Sequence, residues 1–130
     1  MVAVPSKTVR LSVPAEATFA RAVRMMAANL AVDCDMSVDD VEDVRMAAEE
    51  GFVYSCATKP GSCDIAFGLA HDQMSMDFSL GSSVPDPEES PDASLDLVEL
   101  LLSAICDDFG VSEDGATLHL SKRVGAADAE

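Results

Sequence analysis

The sequence predicts an α+β domain built as a two-layer sandwich, with helices on one face of a mixed, mostly antiparallel sheet. Three observations predict it. Apolar residues alternate with polar ones near the N-terminus and again in two adjacent stretches after residue 62. Between and after these stretches the apolar spacing changes to the three-and-four rhythm of amphipathic helices. The resulting order, β-α-α-β-β-α-β, groups helices together instead of alternating them with strands, which suits one layer of helices on an antiparallel sheet. A chain of 130 residues fits a single domain covering residues 1–130. Its core is expected over about 8–124, with tails at 1–7 and 125–130.

Each element has its own signals. Val9, Leu11 and Val13 alternate from Thr8 onward and give a half-buried strand that Pro14 ends. Phe19, Val23, Met26 and Leu30 lie on one face of a first helix, with Arg21 and Arg24 off that face; Asp33-Cys34-Asp35 breaks it. Ser37 is placed to cap a second helix, and Asp39, Asp40, Glu42 and Asp43 follow where negative charge suits the helix dipole. Val41, Val44, Ala48, Phe52 and Ser55 form its inward stripe, and Lys59-Pro60-Gly61 stops it. Cys63, Ile65, Phe67 and Leu69, then Met74, Met76, Phe78 and Leu80, make two strands of a hairpin about His71-Asp72-Gln73. Residues 81–94 form a long loop of Gly, Ser, Pro and acids. A third helix is expected from about Leu95 to Phe109, with Val98, Leu101, Leu102, Ile105 and Phe109 inward and Gly110 just past its end. The last strand spans about Ala116 to Val124. The Met25-Met26 pair and Met74/Met76 read as core packing.

Composition narrows the function classes. The formal net charge is −16, so a nucleic-acid partner or an anionic membrane surface is not expected. No Lys or Arg occurs between Lys59 and Lys122, while acids recur through that stretch. Phosphate-bearing ligands are disfavoured beside such a surface, and a basic protein is attracted. The acidic loop 86–92 reads as a solvated segment or as a docking element for such a partner. Cys34, Cys56, Cys63 and Cys106 form no C-x-x-C pair, and neither a signal peptide nor a membrane span is recognisable. A reducing, cytoplasmic setting is the expectation. His71 and His119 have no neighbours at metal-ligand spacing, so no metal site is expected.

Three stretches carry a family resemblance. "LSVPAEATFARAV", "DVEDVRMAAEEGFVYS" and "LLSAICDDFGV" followed by "DGATLHLSKRV" resemble the opening strand and helix, the second helix, and the closing helix and strand of bacterial anti-sigma factors of the serine-protein kinase group. Those proteins have the histidine-kinase-type (GHKL) ATPase fold. The likeness spans residues 8 to 124. It implies a base at Glu50 and, one turn later on the same helix face, a Mg²⁺-holding Asn at the position occupied here by Tyr54. Tyrosine lacks the amide carbonyl that suits a hard cation. The family's adenine-reading Asp falls on Ser79, by counting back from Gly81, or on Leu80, by strand phase. Its phosphate-cradling glycines fall on Asp96 and Val98, and an Asp there opposes phosphate. The resemblance therefore implies a regulatory protein that binds a sigma factor or an anti-anti-sigma antagonist, forms a homodimer through the first helix and strand with Arg10, Arg21 and Arg24, and needs no cofactor. Two alternatives stand beside it. One is an active ATP- and Mg²⁺-dependent serine-protein kinase. The other is a small-molecule binder whose vacated pocket is lined by Tyr54, Phe52, Met76, Phe78 and serines. Tyr54 either fills the vacated space or is a core residue with its hydroxyl at the rim.

Overall fold

The computed structural model of the chain describes residues 7–70, 72–84 and 95–123. Within them lie five strands and three helices: β1 (Lys7–Pro14), α1 (Ala20–Asp33), α2 (Val38–Ala57), β2 (Ser62–Leu69), β3 (Gln73–Ser79), α3 (Leu95–Ile105), β4 (Asp108–Val111) and β5 (Thr117–Arg123), with a short 3₁₀ turn at Ala17–Phe19 ahead of α1. The strands form one sheet in the order β1-β2-β3-β5-β4. Each neighbouring pair runs antiparallel, so the sheet is antiparallel throughout and not mixed. Among the described residues no helix is long and apolar enough to cross a membrane. Expectations placed on His71, on the acidic loop 86–92 and on the tails at 1–7 and 125–130 fall outside the described residues, except at Lys7, which belongs to β1 and not to a tail.

The register sorts the side chains between the two faces. Val9, Leu11 and Val13 pair across with Phe67, Ile65 and Cys63. Ile65 and Phe67 pair with Phe78 and Met76, which in turn pair with Leu118 and Leu120. Because cross-strand partners point to the same side, these residues form the apolar face that the helices cover. Phe52, Phe67, Phe78, Met74, Met76 and Leu120 are almost wholly buried there. The opposite face carries Arg10, Ser12, Asp64, Asp77, Ser79, Thr117 and His119, in step with the polar positions of the same strands.

The helices form where their ends are capped and their inner faces are apolar. Ser37 accepts a hydrogen bond from the Asp40 backbone N–H at 3.1 Å, which caps α2 as its sequence predicts. Val44, Ala47, Ala48, Gly51, Phe52, Tyr54 and Ser55 are its buried residues, while Val41 is only partly covered. Lys122 on β5 reaches Asp43 at 3.1 Å and Asp40 at 3.8 Å, tying the sheet to the acidic first turns of α2. On α1, Val23, Ala27, Leu30 and Ala31 are buried, Met26 is half-buried, and Arg24 pairs with Glu49 of α2 at 3.0 Å.

Several expectations change. The third helix ends at Ile105, not Phe109, and Phe109 and Gly110 belong to an unforeseen strand, β4. The backbone N–H of Asp107 donates to the Ser121 carbonyl and the Asp107 carboxylate accepts from the Arg123 N–H, so the chain leaves the helix to pair with the sheet. β5 is thereby an interior strand between β3 and β4. Phe19 sits in the 3₁₀ turn at 36% exposure, and Met25 is exposed on α1 and not in the core. Cys63 is fully buried. Burial pushes the Cys56 thiol up to about 11 and the Cys106 thiol up to about 12. Those three cysteines act as small apolar residues.

Candidate functional site

The residues that the resemblance brings forward divide into two groups. Ser79, at the end of β3, and Gly81, just past it, bind the C-terminal end of α2. The Ser79 carbonyl accepts from Ser55 Oγ at 2.6 Å, and the Gly81 N–H donates to Thr58 Oγ1 at 2.8 Å. Thr58 Oγ1 in turn donates to the Ser55 carbonyl at 2.6 Å, and Ser83 N–H donates to the Thr58 carbonyl at 3.0 Å. The Leu80 N–H donates to the Ala116 carbonyl. The side chain of Ser79 points to the uncovered face, where its Oγ accepts from the Asp64 N–H at 2.9 Å. A Cβ at Gly81 would come within 2.2 Å of the Thr58 carbonyl oxygen. This glycine serves a contact between two backbone segments of the protein itself.

Tyr54 and Val98 form the second group. Tyr54 is 8% exposed and Val98 2% exposed, and both line one cavity of about 490 Å³. Glu99 and Leu102 of α3, Phe109, Gly110 and Val111 of β4 and Leu118 of β5 complete its wall. Burial first, and the Glu99 carboxylate second, raise the Tyr54 phenol above its ordinary value. Both effects disfavour a phenolate: one by withholding water, the other by adding like charge. The phenol is therefore a neutral hydrogen-bonding group in an apolar wall, with a carboxylate beside it. Glu50, one turn earlier on α2, is half-buried and does not line the cavity; Asp96 is exposed on the first turn of α3. Phe52, Met76 and Phe78, expected to line a vacated pocket, are packed in the core instead.

The cavity residues other than Tyr54 and Val98 were not singled out in sequence as site residues. They come from α3, β4 and β5, and no local spacing links them. One local signal was present in Asp114-Gly115, a turn dipeptide between two apolar stretches. In the structure Gly115 has φ +72°, and Asp114 accepts from Ser112 Oγ and from the Ala116 N–H, closing the β4–β5 hairpin.

The uncovered face holds a second concavity, of about 470 Å³, lined by Arg10, Ser12, Asp64, Asp77, Ser79 and Thr117 among others. Ser12 Oγ donates to Asp64 at 2.6 Å, and His119 Nδ1 meets Asp77 at 2.6 Å. The bond to Asp77 raises the His119 pKa against the opposing effect of burial. Among the described residues no group of three or more His, Cys, Asp or Glu side chains is arranged to hold a metal ion. No family model matches the chain, and no curated protein matches it.

Proposed function

We propose that this chain is a regulatory binding module of the anti-sigma type, on a histidine-kinase-like ATPase scaffold, acting by protein–protein contact and not by phosphoryl transfer. The single observation that carries this reading is the burial of Tyr54 against the side of α3 that bears Val98. At those two positions the resemblance calls for a metal-holding Asn and a phosphate-cradling Gly. A phenol in an apolar wall offers Mg²⁺ no carbonyl ligand. A buried Val offers phosphate no exposed backbone N–H, and Asp96 and Glu99 add like charge.

The partner belongs to the same proposal: a sigma factor or an anti-anti-sigma antagonist, in a cytoplasmic setting. A net charge of −16 favours a basic contact surface on that partner. A homodimer through α1 and β1 also belongs to it. Its support is the exposed Met25 and Val32 on α1, with Phe19 just ahead of them and Arg10 and Arg21 exposed nearby in sequence.

Calorimetry with ATP and Mg²⁺ tests the reading first, and a flat titration at millimolar nucleotide is the expected result. Micromolar affinity would overturn it in favour of the active kinase. A pull-down from host lysate then addresses the partner, with a sigma factor or its small antagonist expected in the eluate regardless of added ATP. Light scattering on the purified chain is expected to give twice the monomer mass.

A further inference from the structure

The cavity between α2, α3 and the β4–β5 hairpin has a chemistry of its own, independent of whether the chain binds a sigma factor. Its volume of about 490 Å³ lies within the range of small-molecule sites, which runs from roughly 300 to 1,000 Å³. Val98, Leu102, Phe109, Val111 and Leu118 give it apolar walls. Among the described residues its polar side chains are Tyr54 and Glu99, and no Lys or Arg lines it. Glu99 is exposed, which sets its carboxylate at the mouth, while Tyr54, Val98, Leu102 and Leu118 are buried and form the floor. Val111, 46% exposed, stands at the rim on the edge strand.

We infer that this cavity is a binding site for an apolar small molecule carrying a protonated amine, with the apolar part against Val98, Leu102 and Leu118 and the ammonium at Glu99. Charge complementarity selects the occupant. An anionic head group would meet Glu99 at the mouth, Asp96 three residues earlier on the same helix, and a chain of net charge −16. A neutral hydrocarbon would fill the walls and leave the carboxylate unused. A cation satisfies both parts of the lining. The Tyr54 hydroxyl adds a neutral donor or acceptor for a polar atom of the ligand. This assignment does not require that the chain bind a sigma factor. It shares Tyr54, Val98 and Glu99 with the regulatory reading, so ATP binding would count against both, whereas failure of the experiment below would leave the regulatory proposal intact.

The chain contains one Tyr and no Trp, so Tyr54 reports on its own cavity. Two dansyl probes of matched size serve as ligands: dansylcadaverine, which ends in an ammonium, and 5-dansylaminopentanoate, which ends in a carboxylate. Energy transfer from Tyr54 to the dansyl group is read on titration of the whole chain. Saturable transfer is expected with the ammonium probe, with an affinity about threefold above that of the carboxylate probe, the scale of an exposed ion pair. Glu99→Gln is expected to narrow the difference between the two probes, with the loss falling on the ammonium probe. Val111→Phe, at a half-exposed position on the cavity wall, is expected to weaken both; Leu118→Phe is the second blocking variant if the first does not fold by circular dichroism. Absence of saturable transfer overturns the inference. So do equal affinities for the two probes in the unmodified chain, or transfer that survives both blocking substitutions in folded protein.

Discussion

The two ends of the helix layer meet the sheet differently. Over β3, α2 is in close contact. A Cβ at Gly51 would lie 2.5 Å from a ring carbon of Phe78, and a Cβ at Gly81 would lie 2.2 Å from the Thr58 carbonyl oxygen. Over β4 and β5, α3 leaves about 490 Å³ open beside Tyr54. The contrast shows what the glycines of this chain do. By the count that puts the family's Asp on Ser79, Gly81 falls where the resemblance implies a glycine that lets backbone approach a nucleotide. Here that approach is made by the protein's own turn after α2. The open space lies instead beside a helix whose corresponding positions hold Asp96 and Val98.

The largest test of this contrast is Gly81→Ala. The atoms a methyl group would meet, Thr58 O, Lys59 C and Pro60 N at 2.2, 2.5 and 2.6 Å, are all backbone, so no rotamer change relieves the overlap. A loss of about 3 kcal/mol is expected, at the upper end for overpacking, read as a lower urea midpoint. A variant as stable as the parent would mean that the segment after β3 is not seated on α2. Gly51→Ala comes next. Its clash is with the side chain of Phe78, which is 0% exposed. Ring displacement in a packed core works against the roughly 1 kcal/mol that Ala contributes to a helix interior over Gly. A net loss of about 1–2 kcal/mol is expected.

Much of the tight end was legible in sequence. The Ser37 cap, the Val44-Ala48-Phe52-Ser55 stripe and the alternation through β2 and β3 are local signals, and each element stands where its pattern places it. The loose end was not legible, for a physical reason. Val98, Leu102, Ile105 and Phe109 follow one unbroken helical rhythm, and Gly110 resembles a helix stop. What ends α3 four residues early is pairing with β5, including Asp107 N–H to Ser121 C=O and the Asp107 carboxylate to Arg123 N–H. Those partners lie more than a dozen residues away, beyond the reach of any local window. The cavity is illegible in sequence for the same reason, since Phe109, Gly110 and Val111 line it as strand residues. Met25 sits beside an apolar stripe and fits a core in composition alone, but helix phase turns it outward.

Leu118→Phe carries the comparison to the loose end. Leu118 is 3% exposed, as buried as many core residues, yet it borders the cavity. A larger side chain there has space to enter without displacing backbone. The expected change in stability is within about 1 kcal/mol, below the usual penalty for overpacking a filled core. Adding most of a ring at one end should therefore cost less than adding one methyl group at the other. A loss for Leu118→Phe equal to or above that for Gly51→Ala would show that the cavity collapses in solution.

The smallest expected effect is also the most local. As the sole tyrosine, Tyr54 can be titrated by its phenolate absorbance without interference. Burial first and Glu99 second raise its pKa above the ordinary value of 10.0. Glu99→Gln removes the second cause and leaves the first, so the pKa should fall towards 10.0 and remain above it. The linked effect on stability has a definite sign. A phenol with a raised folded-state pKa holds its proton longer in the folded chain than in the unfolded one. Its stabilising contribution is thus complete below pH 10.0, the unfolded value, and is lost as pH rises from there through the folded pKa. Glu99→Gln should narrow that window from its upper side. If the phenol of the unmodified chain instead titrates at its ordinary value, water reaches Tyr54 freely, and the floor of the cavity is open to solvent.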